Sequence, residues 1–276
     1  MRKRFALSLL TIALALTGAE AHDMFLILPA GGAQPESEIE APLFNGTIDK
    51  SENTIERDRM QDVTVVDAEG WADHPPTESW RDDGDTSVLT VETGPPGTLL
   101  VGVSTRPRLI ELSAEDFNEY LRHDGVRDVL DDRTRDGELD RPAREWYSKH
   151  VKTLIQVGGE SSDTWQHRLG YPVELVPMDD PAGLAPGDTL QVLVLADGEP
   201  LAGQLVYASY EGYHAHDEDD GTHREAFEDR SDMNGIVRLD VTRSGRWYLR
   251  LIHMVPSDEE GLDYESNWAT LTFEVS

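Results

Sequence analysis

The sequence has no cysteine and only four lysines among its 276 residues. Without cysteine there can be no disulfide, no thiolate metal ligand and no cysteine nucleophile, so burial alone must hold the fold together. The lysines leave 24 basic side chains, mostly arginine, against 54 acidic ones, a formal net charge of −30. A surface of that sign repels nucleic acid and anionic lipid, and it attracts cations. The carboxylates are spread along the whole chain, however, so the bulk charge speaks for solubility and names no function. Catalytic signatures are missing too: there is no Gly-x-Ser-x-Gly, no His-Glu-x-x-His, no phosphate-cradling glycine loop and no dinucleotide fingerprint. The sequence reads as a binding protein, not an enzyme.

Long apolar runs are also scarce. The one that exists, Phe5–Leu16, follows the basic Arg2-Lys3-Arg4 and precedes Thr17-Gly18-Ala19-Glu20-Ala21, which has small residues where an A-x-A cleavage site needs them. It is shorter than the roughly 20 apolar residues that cross a bilayer. Residues 1–21 therefore read as a signal peptide, the mature chain begins at His22, and the chain is expected to be exported, with no membrane span after cleavage.

The remainder has the pattern of a mainly β protein. Strands are expected at Met24–Leu28, Val63–Val66, Ser87–Val91 and Thr98–Val103, the last two pairing across Gly94-Pro95-Pro96-Gly97. Trp71–Asp85 lacks periodicity and reads as a loop. Ser113-Ala114-Glu115-Asp116 opens a helix carrying Phe117, Tyr120 and Leu121, and the spacing resumes at Val129 and Leu130 after Gly125. A further helix is expected from Asp140 through Trp146, Tyr147 and His150, giving way around Val151 to a strand at Thr153–Val157. The final strands are Pro172–Pro177, Thr189–Leu195, Leu201–Tyr207, Ile236–Val241, Trp247–His253 and Ala269–Val275, with turn signals between them. The predicted architecture is two β-sandwich domains, Ig-like or prealbumin-like, with a short helical insert. The boundaries are 22–112 for the N-terminal β-rich domain, 113–150 for the insert and 151–276 for the C-terminal sandwich.

Three places among the nine histidines could carry chemistry. Cleavage before His22 would free an α-amine of pKa about 7.7–8.0, which with the same residue's imidazole can chelate one metal ion. A second histidine would complete a three-nitrogen, T-shaped site suited to Cu(II) or Ni(II), with Asp23 as a ligand or as the group that orients an imidazole. The segment from His214 through His216 to His223, with four carboxylates, reads as a weak, flexible capture loop. His253, closing an apolar strand before Met254, matters only if the fold brings it to His22, and such a lone histidine is otherwise a satisfied core residue.

Ala21-His22-Asp23-Met24-Phe25-Leu26 with Pro29, Ser104-Thr105-Arg106-Pro107 with Ile110-Glu111-Leu112, and the Phe117, Tyr120-Leu121 helix share a family likeness. So do Arg144–Lys149, Leu169–Pro177, Pro200–Gly203, His253-Met254-Val255-Pro256 and Glu265–Phe273. Together, from His22 to the C-terminus, they resemble the periplasmic domain-of-unknown-function family often labelled a nickel-uptake or cobalt-transport periplasmic component. That resemblance implies a protein that binds a divalent transition metal (Ni, Co or Cu) and hands it to a membrane permease or outer-membrane receptor. His22 and Asp23 would sit at the metal with His253 as partner; the His214–His223 loop is not part of the resembling motif. A structural or interaction module for a protein or glycan is the alternative.

Overall fold

The computed structural model describes residues 22–216 and 223–276. The expected signal segment, 1–21, and the tip of the histidine loop, 217–222, lie outside the described residues. The fold is mainly β, as expected. At its centre is a nine-stranded sheet, in the order Phe227–Arg230, Leu205–Tyr210, Gly245–Pro256, Tyr264–Val275, Ala143–Val157, Gly97–Thr105, Met60–Val66 and Ala72–Asp73; the ninth strand, Arg108–Leu112, pairs with Ala143–Val157. A four-stranded sheet (Asp23–Leu26, Glu38–Gly46, Thr86–Glu92, Trp80–Asp83) covers part of one face. A second (Val173–Pro177, Thr189–Ala196, Glu199–Pro200, Ile236–Asp240) covers the other.

Side chains of a strand alternate between faces, and the central strand Gly97–Thr105 uses both: all nine of its residues are buried. Leu99, Val101 and Val103 meet Leu43 and Leu89 of the first sheet. Leu100, joined by Leu154, meets Leu175 and Val192 of the second. The two sandwiches thus share their middle layer. Ala143–Val157 runs through the expected boundary at 150/151, pairing antiparallel with Gly97–Thr105 and parallel with Tyr264–Val275.

Three local expectations are corrected. Ser87–Val91 and Thr98–Val103 are strands, but they lie in different sheets and do not pair. Pro95 and Pro96 cannot donate ladder hydrogen bonds and fix φ, so the connection arches from one sheet to the other instead of closing a hairpin. The helix expected from Asp140 is strand: the β-branched run Val151, Thr153, Ile155, Val157 suits a pleated surface, and ladder partners wait on both sides. Trp71–Asp85 contains two short strands, Ala72–Asp73 and Trp80–Asp83.

Two helices cover the end of the central sheet near Ile252, Met254 and Trp268. Helix α1 (Ala114–His123) is capped as expected, Ser113 Oγ accepting from the Asp116 N–H at 3.2 Å. Gly125 then turns the chain into α2 (Arg127–Asp136). Beneath α1, Glu145 is 1 % exposed. Its Oε1 accepts from Tyr120 Oη at 3.1 Å and from Ser266 Oγ, while Oε2 has no hydrogen-bond partner among the described residues. Burial pushes its pKa from the usual 4.5 up to about 7, against the pull of those two hydroxyls. Between these values the folded chain keeps a proton that the unfolded chain has lost, so stability falls as pH rises through that window. Glu145→Gln keeps a neutral acceptor there and is expected to flatten the fall, adding up to about 3 kcal/mol at pH 8. Urea titrations of both proteins at pH 5 and pH 8 measure this.

Candidate metal-binding cleft

Asp23–Leu26 is held along both edges. One edge pairs with Leu43–Gly46, Asp23 opposite Gly46. On the other, the carbonyls of Met24 and Leu26 accept from Thr270 Oγ1 at 2.7 Å and Thr272 Oγ1 at 2.9 Å of the central sheet. This seats the carbonyl of His22 on Lys149 Nζ, which also donates to Asn45 Oδ1 at 3.2 Å. Lys149 is buried, stands over the Trp268 ring at 5.1 Å and touches no carboxylate among the described residues. Burial lowers its pKa to about 8, although Asp23 and Asp124 nearby oppose the shift.

Beside this clamp opens a cleft of about 370 Å³. His22, His123 and His214 line it, from segments far apart in sequence, together with Asp23, Asp124 and Glu225. His22 Nε2 lies 3.1 Å from Glu52 Oε2. His123 stands at the C-terminal end of α1, its Nδ1 3.2 Å from Asp124 Oδ1, with a side chain 69 % exposed. His214 leads into the short hairpin of Ala215–His216 with His223–Arg224. The loop before it is tied down where Gly212 N–H donates to Asp49 Oδ1 at 3.1 Å. Under the cleft floor lies Arg250. Its Nε donates to Glu225 Oε1 at 2.8 Å and stands 3.4 Å from Asp23 Oδ2, and its Nη1 donates to the Asp124 carbonyl at 3.1 Å. Burial raises the pKa of Asp23, opposed by the charge of Arg250. For Arg250 burial works downward, but Asp23 and Glu225 outweigh it and leave its pKa above the usual value.

The chain matches the family described as Domain of unknown function (DUF4198) over residues 19–255. It belongs to that family. No curated protein matches this DUF4198 chain. Among solved structures it is similar to the D0–D1 domain of intimin (12 % identity over 91 % of this chain and 97 % of that one, TM-score 0.21). It is also similar to the Escherichia coli adhesin FdeC (13 %, 92 % and 63 %, TM-score 0.24) and to Salmonella alpha-2-macroglobulin (11 %, 93 % and 15 %, TM-score 0.22). Scores this low assign no function.

The remaining histidines of this DUF4198 chain lie elsewhere. On Gly245–Pro256, Tyr248 and Arg250 face the cleft and Leu249 and Leu251 the opposite core. His253 shares the parity of the leucines, and its Nδ1 meets Gln204 Oε1 at 3.0 Å. The fold therefore does not bring it to His22. His150 is a buried structural residue between Ser104 Oγ at 3.0 Å and Asn267 Oδ1 at 2.9 Å. For both, burial lowers the imidazole pKa. Of the expected metal residues, His22, Asp23 and His214 line one cleft, and His216 and His223 are backbone register partners in the adjoining hairpin. His123, Glu225 and Arg250 join the site without having been expected. Among the described residues, no group of three histidine or carboxylate side chains stands close enough to hold a metal ion as placed.

Proposed function

We propose that the exported chain binds a divalent transition metal in the His22 cleft and passes it, in the periplasm, to a permease or outer-membrane receptor. What carries this reading is the convergence of His22, His123 and His214 on one cleft, with the main chain of residue 22 fixed by Lys149. The amine and imidazole of His22 supply two nitrogens, and His123 or His214 supplies the third after a rotamer change, which an exposed side chain makes at little cost. Nitrogen donors suit nickel, cobalt and copper, copper most of all by affinity. Titration of the mature protein with Ni(II), Co(II) and Cu(II) by calorimetry in moderate salt tests the proposal. One stoichiometric site that His22→Ala abolishes and His214→Ala or His123→Ala weakens is the expected result. Several weak sites indifferent to all three changes would reject it, leaving only cations gathered by an acidic surface.

A second reading has its own observation. Trp71 is 74 % exposed, beside a groove of about 490 Å³ lined by Pro75 and Pro76. An exposed tryptophan against prolines suits an interaction module for a protein or glycan. Loss of partner capture on Trp71→Ala, with metal binding intact, would favour that module.

A further inference from the structure

Three separate segments deliver the cleft histidines, and one buried side chain touches all three. Arg250 reaches Asp23, the neighbour of His22, at 3.4 Å. It donates to the carbonyl of Asp124, the neighbour of His123, at 3.1 Å. It donates to Glu225 at 2.8 Å, and Glu225 follows Arg224, the register partner of Ala215, and lines the same cleft as His214. The arrangement is braced further. Tyr248 Oη donates to Glu225 Oε2 at 2.6 Å. The Arg250 guanidinium lies 4.7 Å from the centroid of the Tyr207 ring, whose hydroxyl donates to the carbonyl of Gly125 at 2.9 Å. Gly125 has φ +76°, and a methyl group there would overlap the Tyr207 ring.

We propose that Arg250 is the positioning residue of the cleft: its planar fork assembles the strand of His22, the end of α1 and the foot of the His214 hairpin into one site. The inference rests on the metal-binding reading for its purpose, but not for its geometry. A guanidinium offers several donors in fixed directions, whereas an ammonium is a compact point charge on a flexible stem. Lysine at this position would keep the charge between Asp23 and Glu225 and lose the simultaneous reach. Residues that orient metal ligands from behind typically matter 10–100-fold in affinity when changed.

The test is Arg250→Lys in the mature protein, with circular dichroism and melting temperature to establish folding. Cu(II) affinity is expected to fall about 10–100-fold, and the visible absorption band of the bound copper to move to lower energy as an imidazole nitrogen is lost. In the metal-free protein, amide hydrogen exchange is expected to quicken together in residues 22–26, 123–126 and 223–226, and not in the central strand Gly97–Thr105. Wild-type affinity and absorption spectrum in the folded variant would overturn the inference, as would quicker exchange in one segment only. If the wild-type protein takes up no copper at a single site and Arg250→Lys still loosens the three segments together, the metal reading fails and the positioning role stands. If Arg250→Lys does not fold, Glu225→Gln decides. It should quicken exchange in 223–226 alone, and quicker exchange in all three segments or in none would overturn the inference.

Discussion

Lys152→Met is expected to destabilise the protein by about 3–5 kcal/mol, the cost of leaving a buried charge without its partner. Lys152 Nζ and Glu174 Oε1 are 2.7 Å apart, and both side chains are 2 % exposed. The pair bridges the central sheet and the second covering sheet. Every proton of the ammonium is used: besides Glu174, it reaches the carbonyls of His167 at 3.1 Å and Leu175 at 3.2 Å. Glu174 in turn accepts from the N–H groups of Leu169 at 2.7 Å and Gly170 at 3.1 Å. Burial lowers the lysine pKa, and the charge and hydrogen bond of Glu174 hold it up. Methionine fills much the same volume without the charge, so the loss isolates the unpaired carboxylate. The double variant Lys152→Met, Glu174→Gln keeps an acceptor for one of the two N–H groups and removes that carboxylate. It should recover more than half of the loss. Urea denaturation of the three proteins measures both steps; a double variant no better than the single one would place the cost in packing instead.

Lys152 and Lys149 together show how much of the site could be read from sequence. With four lysines in the chain, two of them, Lys149 and Lys152, fall three residues apart in the apolar stretch around Val151 and Leu154. A rare charge in a run otherwise fit for burial signals a buried role, and both proved to anchor chain segments through carbonyl groups. Alternation and turn residues made most strands legible, because period-two burial is a local property. Pairing was less legible. The Gly-Pro-Pro-Gly link lies between two good strands, yet its prolines join different sheets, and only the surrounding layers decide that. Trp146, Tyr147 and His150 have helical spacing, and the wider run that makes them strand depends on ladders from residues 97–105 and 264–275. His22 was legible from the expected cleavage site and His214 from its crowded loop. His123 was not, because nothing in Arg122-His123-Asp124 distinguishes it from any polar helix end. Its significance lies in the crossing of α1 over the sheet beside the N-terminal strand. His253 was misplaced by one strand parity, which sends a residue three positions from Arg250 to the opposite face.

Acetylating the α-amine of mature His22 is expected to lower transition-metal affinity by about 100-fold, the equivalent of roughly 3 kcal/mol. The acetyl group leaves every side chain in place, including the imidazole of His22 and its neighbours His123 and His214. It changes one group, turning a basic amine into an amide with no free amine beside it to anchor a metal. Nothing in the described fold depends on that amine: the strand Asp23–Leu26 is fixed by its pairing with Leu43–Gly46 and by Thr270 and Thr272, and His22 is held by its carbonyl. The melting temperature of the metal-free acetylated protein should therefore match that of the mature one. A large drop in affinity at constant stability would assign the amine to the metal, because loss of folding could not explain it. Unchanged affinity would remove the amine from the ligand set and leave binding to the imidazoles, in which case His22→Ala and His123→Ala should have effects of similar size. A drop found for Cu(II) and not for Co(II) would separate the metals by the weight each places on a second nitrogen from one residue, and so identify the ion the cleft is built to hold.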